Sequence, residues 1–177
     1  MQTLEAIHTR RSVRRYTEEP ISEEMLQQLL SAAMHAPSAG NQQPWQFIVI
    51  DDFQTLAQIP DLSPYAGMCA EAPLGIVICG DLSLEKHAGY WVQDCSAATQ
   101  NLLLAAHDLG LGAVWTGIFP RQSRVEGFRS LLGLPEHIVP LGFIVLGHPA
   151  EQPALTKNRF KPERIHRNGW PADEATA

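Results

Sequence analysis

The sequence has few cysteines, no long apolar run and no leader-like start, and each shortage excludes a class of protein. Its three cysteines, among 177 residues, are an odd number without CxxC spacing, so a reducing compartment is expected rather than a disulfide framework. No apolar stretch approaches the roughly 18 residues needed to span a bilayer. The first residues lack the basic and then apolar plan of a signal peptide. A cytoplasmic protein with no membrane partner is therefore expected.

Metal-ligand and nucleophile patterns are also missing. None of the seven histidines lies at ligand spacing from another histidine or from a cysteine, so no metal site is expected. No cysteine has a recognisable nucleophile context, and all three are expected to pack as small apolar groups. The run Gly110-Leu111-Gly112 follows a predicted helix and precedes a predicted strand. This order is the reverse of a dinucleotide fingerprint, so the run predicts a helix end instead.

Positive charge is scarce and unevenly placed. There are 13 Lys and Arg against 19 Asp and Glu, for a formal net charge of −6. This acidic balance disfavours a nucleic-acid partner, which needs a broad basic face. Nevertheless, nine of the 13 basic residues lie in two clusters near opposite ends of the chain. Their members are Arg10, Arg11, Arg14 and Arg15 in the first, and Lys157, Arg159, Lys161, Arg164 and Arg167 in the second.

The first cluster belongs to the run Arg10–Tyr16, which we call the arginine segment. Four arginines within six residues repel one another unless an anion lies among them, so the segment predicts a small-anion site, with a phosphate as the leading candidate. Ser12 adds a hydroxyl donor. The alternatives are a solvated basic turn paired with glutamates and, for the second cluster, a disordered basic tail.

Hydrophobic periodicity predicts helices and strands that alternate in one domain over residues 1–170, with a frayed tail at 171–177. Predicted helices span about residues 3–8, 23–36, 53–59, 90–109 and 122–132. Predicted strands span 46–50, 74–79, 113–118 and 141–146, and 64–72 is predicted as a loop. The longest helix carries small residues and leucine on several faces, which favours burial by the rest of the domain or by a second subunit.

The connection Ala36–Trp45, which we call the amide loop, carries a serine hydroxyl, three side-chain amides and two prolines. Amides beside a tryptophan suit a flat heterocycle with hydrogen-bonding edges. An ordinary connection between a helix and a strand is the alternative.

Together these segments resemble the nitroreductase family of FMN-dependent NAD(P)H oxidoreductases, over nearly the whole chain. The arginine segment resembles the family's phosphate motif, and the amide loop resembles its flavin-contacting loop. The run 110–117 is similar to the segment beneath the flavin ring, and 157–159 is similar to a C-terminal basic pair. Two further runs, 132–136 and 146–149, are similar to later family signatures.

The resemblance implies an α+β fold, a three-layer α/β/α sandwich with a mainly antiparallel central sheet, in an interwoven homodimer with FMN at the subunit interface. It implies that Arg14 acts on the pyrimidine end of the flavin ring, where it stabilises the charge that develops during reduction. The implied cofactor-binding residues are Arg10, Arg11, Ser12, Arg14, Pro37, Ser38, Ala39, Asn41, Trp115, Thr116, Gly117, Lys157 and Arg159, with Pro37, Ser38, Ala39 and Asn41 supplied by the partner subunit.

The implied reaction passes a hydride from NADH or NADPH through flavin N5 to nitro compounds, quinones or similar small acceptors, in a ping-pong order. The alternative is a flavin-binding storage or sensor protein with little turnover, because a fold does not guarantee catalysis. The sequence shows no adenine-ribose motif that would choose between NADH and NADPH.

Overall fold

The centre of the fold is a sheet of four strands, each antiparallel to its neighbours. The structure, a computed structural model, describes residues 1–151 and 159–170. In chain order the strands are β1 (Trp45–Ile50), β2 (Leu74–Asp81), β3 (Gly112–Gly117) and β4 (Ile138–Gly147). Their order across the sheet is β1-β2-β4-β3. The predicted antiparallel central sheet is therefore confirmed.

Both faces of the sheet are covered by helices. The helices are α1 (Thr3–Thr9), α2 (Glu23–Met34), α3 (Phe53–Leu56), α4 (Ile59–Leu62), α5 (Trp91–Asp108) and α6 (Gln122–Leu132). Side chains of α2 and α5 form one core with one face of the sheet, whereas α3, α4 and α6 form a second core with the other face. These layers confirm the predicted three-layer α/β/α sandwich.

Strand β2 shows why its sequence is a continuous apolar run. All eight of its residues are buried, as expected for a strand covered on both sides. Ile76 and Ile78 enter the core of α2 and α5, while Val77 and Cys79 enter the opposite core. Each core thus receives alternate residues of the same strand.

Local signals set the helix ends as predicted. The hydroxyl of Ser22 accepts a hydrogen bond from the Met25 amide at 3.2 Å and caps α2, whose first turn carries Glu23 and Glu24. Helix α5 exposes only Gln93, Gln100 and Asp108, which agrees with the prediction of a helix buried on most sides.

The structure differs from the predicted elements most clearly at three places. The helix expected at 53–59 is two short helices, because Pro60 lacks an amide hydrogen and is placed in the first turn of a new helix. Strand β4 begins at Ile138 rather than 141, because a register shift opposite Cys79 accommodates Pro140 inside the strand. The predicted loop 64–72 contains a 3₁₀ turn at Gly67–Glu71.

Within the part of the chain that the structure describes, no helix is both long and apolar enough to cross a membrane. The predicted tail 171–177 and Lys157 lie outside the described residues.

Candidate active site

The arginine segment lies along the β3 edge of the sheet and is held there by its main chain. Ser12 pairs in parallel with Ala113, and the Val13 amide donates to the Ala113 carbonyl at 3.0 Å. Beyond the segment, the Thr17 amide donates to the His148 carbonyl at 2.8 Å. Because main-chain groups make these bonds, the side chains at 10, 12 and 14 remain available for a ligand.

Arg10 lies where the two basic clusters meet. Burial lowers the pKa of Arg10 below its ordinary value, and the nearby charges of Arg11 and Arg159 lower it further. None of the three ion pairs found among residues 1–151 and 159–170 involves these arginines. An anion placed among them would relieve the repulsion, as the sequence predicts.

Arg11 turns back on the end of α1 rather than outward. Its guanidinium donates to the Arg10 carbonyl and, at 3.0 Å, to the His8 carbonyl. Its Nε is buried and has no hydrogen-bond partner among the described residues. An orphaned donor beside clustered guanidinium groups fits a phosphate.

His107 lies close to Arg10 and Arg11, and the sequence did not predict this proximity. Its Nε2 is 2.8 Å from the Thr9 hydroxyl. Burial lowers the pKa of His107, and the charges of Arg10 and Arg11 lower it further. No local pattern could have shown this, because the contact joins α5 to the end of α1.

A cavity of about 710 Å³ opens beside the arginine segment. Four of the predicted site residues line it together: Arg14, Trp115, Thr116 and Gly117. The hydroxyl of Thr116 donates to the Phe143 carbonyl at 3.0 Å, so this residue presents its main chain to the cavity rather than its hydroxyl. The indole of Trp115 packs against Gly142 of β4, where a side chain would leave it no room.

A second part of the cavity lining could not be predicted from the sequence. It consists of Pro64, Tyr65, Gly67 and Met68, in the stretch predicted only as a loop. The Tyr65 ring lies 5.3 Å from the guanidinium carbon of Arg124, and Arg124 donates to the Gly117 carbonyl at 2.8 Å. Arg124 thus links the two parts of the lining by a cation–π contact and a hydrogen bond.

The amide loop does not line this cavity. Its residues Ala39–Asn41 form a 3₁₀ turn, in which Gly40 and Asn41 both have a φ of 53°. Pro37 and Asn41 are exposed, while Ser38 and Ala39 are half-buried. The four predicted loop residues are therefore separate from the cavity of the same chain.

The cysteines do not contribute a nucleophile. All three are buried and free. Burial raises the pKa of Cys69, Cys79 and Cys95 to about 12 each, so the reactive thiolate is strongly disfavoured. They pack as small apolar groups, as predicted.

Residues 7–65 and 64–148 match a family model described as the nitroreductase family. The chain belongs to this family. The identification agrees with the resemblance drawn from the arginine segment, the amide loop and the run 110–117.

Similar proteins come from diverse organisms. A provisionally named NADH dehydrogenase/NAD(P)H nitroreductase of Methanothermobacter thermautotrophicus is 52% identical over 96% of this chain and 88% of its own length. The crystal structure of a likewise provisionally named protein of Parabacteroides distasonis has a TM-score of 0.91 and 45% identity, and the match covers 96% of this chain and 99% of that one. A provisionally named nitroreductase of Desulfovibrio desulfuricans, solved in complex with FMN, has a TM-score of 0.79 and 34% identity, with 95% and 97% coverage.

Proposed function

We propose that this protein is an FMN-dependent NAD(P)H oxidoreductase of the nitroreductase type. Membership of the family supports an enzyme of this class, and the FMN complex of the Desulfovibrio desulfuricans relative supports the cofactor. The observation that carries the proposal most is the cluster of Arg10, Arg11 and Arg159 at one end of the arginine segment, none of which forms an ion pair with a described residue. The cavity lined by Arg14 lies further along the same segment. The arginine segment can therefore contact both the phosphate and the flavin ring of one FMN molecule.

The residues fit the two ends of FMN. Arg10, Ser12 and Arg159, together with Lys157, would hold the phosphate. The orphaned Nε of Arg11 would add a donor. At the other end, Arg14 and the β3 residues Trp115, Thr116 and Gly117 would bind the ring. Pro37, Ser38, Ala39 and Asn41 would reach a ring bound to a second subunit.

When bound, FMN supplies two-electron hydride chemistry at its N5 atom, and the protein supplies binding and electrostatics. Arg14 places a positive charge in the cavity wall, where it would stabilise negative charge on the reduced ring. Tyr65 and Trp115 would exclude water from the two sides of the cavity. Electrostatic stabilisation is stronger where water is excluded. No cysteine or metal is needed for these roles.

The proposed donors are NADH or NADPH, and the proposed acceptors are nitro compounds, quinones or similar small planar oxidants. One open cavity beside Arg14 supports a ping-pong order, in which donor and acceptor occupy the same place in turn. The cytoplasm is the proposed compartment, supported by three free thiols.

The proposed assembly is a homodimer with FMN at the interface. It is supported by the separation of the amide loop from the cavity of its own chain, since a loop that does not line its own cavity is free to contact a flavin bound to a second subunit. Large apolar side chains also lie exposed on α1 and α2, among them Leu4, Ile7 and Met34. Such side chains favour contact with a second subunit.

The test is reconstitution with FMN followed by anaerobic addition of NADH or NADPH. Rapid bleaching of the visible flavin absorption, reversed by menadione or a nitroaromatic compound, is the expected result. A yellow protein whose spectrum does not change over minutes would instead support the alternative, a flavin-binding storage or sensor protein. Protein that takes up no FMN at all would contradict both functions.

A further inference from the structure

Asp94 is a buried carboxylate in the first turn of α5 whose charge is not balanced by a basic side chain. It is 5% exposed, and none of the ion pairs among the described residues includes it. An unpaired buried charge is strongly disfavoured unless hydrogen bonds compensate it. The position near the N-terminus of a helix helps, because the helix dipole favours a negative charge there. The remaining compensation comes from the amide loop.

Both carboxylate oxygens of Asp94 accept hydrogen bonds from the amide loop. Oδ1 accepts from the Ala39 amide at 3.0 Å, and Oδ2 accepts from the Gln42 side-chain amide at 2.7 Å. Gln42 is itself buried, with 6% exposure, and its Oε1 accepts from the amides of Lys86 and His87 at 2.8 and 3.1 Å. One buried network therefore joins the loop, α5 and the segment before α5.

The amide loop depends on external support because its backbone is unfavourable. Asn41 and Gln43 have positive φ angles of 53° and 48°, which residues with a side chain rarely adopt. Within the loop, two main-chain bonds form the 3₁₀ turn, from the Asn41 amide to the Ser38 carbonyl at 3.1 Å and from the Gln42 amide to the Ala39 carbonyl at 3.0 Å. Two bonds that involve side chains add to them: the Ser38 hydroxyl accepts from the Gln43 amide at 3.0 Å, and the Asn41 side chain accepts from that of Gln43 at 3.2 Å. The two bonds that involve side chains are exposed, so water competes for their donors and acceptors.

We infer that Asp94, acting through Gln42 and the Ala39 amide, is the positioning residue that fixes the amide loop in the conformation that meets the flavin. The inference rests on the proposed function for its ligand. The loop cannot leave this conformation without stripping hydrogen bonds from a buried carboxylate, and so it is organised before FMN arrives. Preorganisation of this kind improves affinity by removing an ordering cost from the binding step.

The donors and acceptors of the network suggest a reciprocal exchange as the test. In Asp94→Asn, one oxygen can still accept from Ala39, but the new NH₂ group faces the NH₂ group of Gln42. In the double variant Asp94→Asn/Gln42→Glu, the introduced amide donates to the introduced carboxylate, whose other oxygen accepts from the main-chain amides of Lys86 and His87. The exchange preserves the net charge and restores every hydrogen bond, with the direction of the bond between the two side chains reversed.

The first measurement is FMN affinity, followed by quenching of flavin fluorescence, together with the visible circular dichroism of the bound flavin. Asp94→Asn is expected to raise the Kd for FMN by about ten-fold, the equivalent of one lost charge-assisted hydrogen bond. The double variant is expected to return to within about three-fold of the wild type, with the wild-type dichroism. A single variant that binds FMN like the wild type, or a double variant that binds no better than the single, would overturn the inference.

Asp81→Asn is the matched control. Asp81 is also a buried aspartate that accepts from a glutamine side chain, at 3.4 Å from Gln46, but its other side-chain bonds go to Ser83 and not to the amide loop. It is expected to lower the thermal midpoint as Asp94→Asn does, while leaving the Kd for FMN within about two-fold. An equal loss of affinity in both variants would mean that general destabilisation, and not loop position, is responsible.

The second measurement separates this inference from the proposed function. Hydrogen–deuterium exchange of residues 37–44 in FMN-free protein reports loop order without any ligand. Faster exchange in Asp94→Asn, reversed in the double variant, supports the positioning role even if the wild type takes up no FMN, in which case only the proposed function fails. Unchanged exchange in Asp94→Asn would overturn the positioning role whatever the FMN result.

Discussion

The arginine segment and the amide loop are assigned to the same cofactor, yet they are held in place in different ways. The arginine segment is attached to the edge of the sheet by main-chain hydrogen bonds, such as that from Val13 to Ala113. The amide loop has unfavourable φ angles and is held by buried side chains, chiefly Asp94 and Gln42. In the arginine segment, main-chain hydrogen bonds hold the chain in place, so its side chains are available to bind a ligand. In the amide loop, side chains hold the chain in place, so a substitution there is expected to lower both stability and ligand affinity.

The largest expected effect is that of Arg10→Ala, which should lower FMN affinity without lowering the stability of the protein. Arg10→Ala is expected to weaken FMN binding by about 1.5–3 kcal/mol, roughly 10- to 150-fold, because it removes a charge-assisted contact with phosphate. The FMN-free protein should be no less stable, since its neighbours and burial already disfavour the charge of Arg10. Riboflavin, which lacks the phosphate, is the control ligand and should bind equally to both proteins. An equal loss for riboflavin would contradict a phosphate role.

Arg14→Ala should show that residues of the arginine segment have different roles, because it should affect flavin reduction more than FMN binding. We expect flavin reduction to slow by about 10- to 100-fold, since one electrostatic contact to developing charge is lost. The Kd for FMN should change by less than about three-fold, because the proposed place of Arg14 is at the ring and not at the phosphate. Anaerobic stopped-flow reduction and fluorescence titration measure the two quantities. If only the Kd changes, the role assigned to Arg14 is wrong.

Gly40→Ala tests the other side of the comparison. A Cβ at position 40 would lie 2.6 Å from His87 Nε2, and the φ of 53° is itself unfavourable for alanine. The free energy of unfolding should fall by about 1–2 kcal/mol, and FMN affinity should fall with it. Gly89→Ala is the matched control, because Gly89 has a φ of 85° but no atom within 4 Å of the added Cβ. Equal losses in thermal denaturation would show that contact with His87 does not matter.

Arg15→Ala should have the smallest effect. Arg15 pairs with Glu151 at 3.6 Å, but both side chains are well exposed, so the pair contributes on the order of 0.5 kcal/mol or less. FMN affinity and thermal midpoint should both stay close to wild type. A loss of FMN affinity comparable to that of Arg10→Ala would mean that the summed positive charge of the segment attracts the phosphate, and that Arg10 makes no specific contact with it.

Much of the fold could be predicted because its signals are local. Ser22 caps α2, and Gly133, with a φ of 63°, ends α6. The alternation of buried residues follows from the period of a strand. Two of the errors arose where a proline was decisive. Pro60 is in the first turn of a new helix, and Pro140 lies at a register shift that only the pairing with the partner strand shows.

The candidate site was only partly predictable. Arg14, Trp115, Thr116 and Gly117 were expected together and do line one cavity. Tyr65 was missed because a single tyrosine in a loop carries no pattern. Asp94 was missed for a different reason: it resembles an ordinary first-turn acid until the amide loop is placed against it.

The sequence alone was enough to identify the family, the order of helices and strands, and two basic clusters that predict an anion site. Tertiary structure alone decided that Arg10 lies near Arg159, that Tyr65 and Arg14 line one cavity, and that Asp94 accepts hydrogen bonds from the amide loop. The physical reason is distance along the chain. Caps and periodicity arise between residues about four apart, whereas each of these contacts is created when the sheet and its helices pack together.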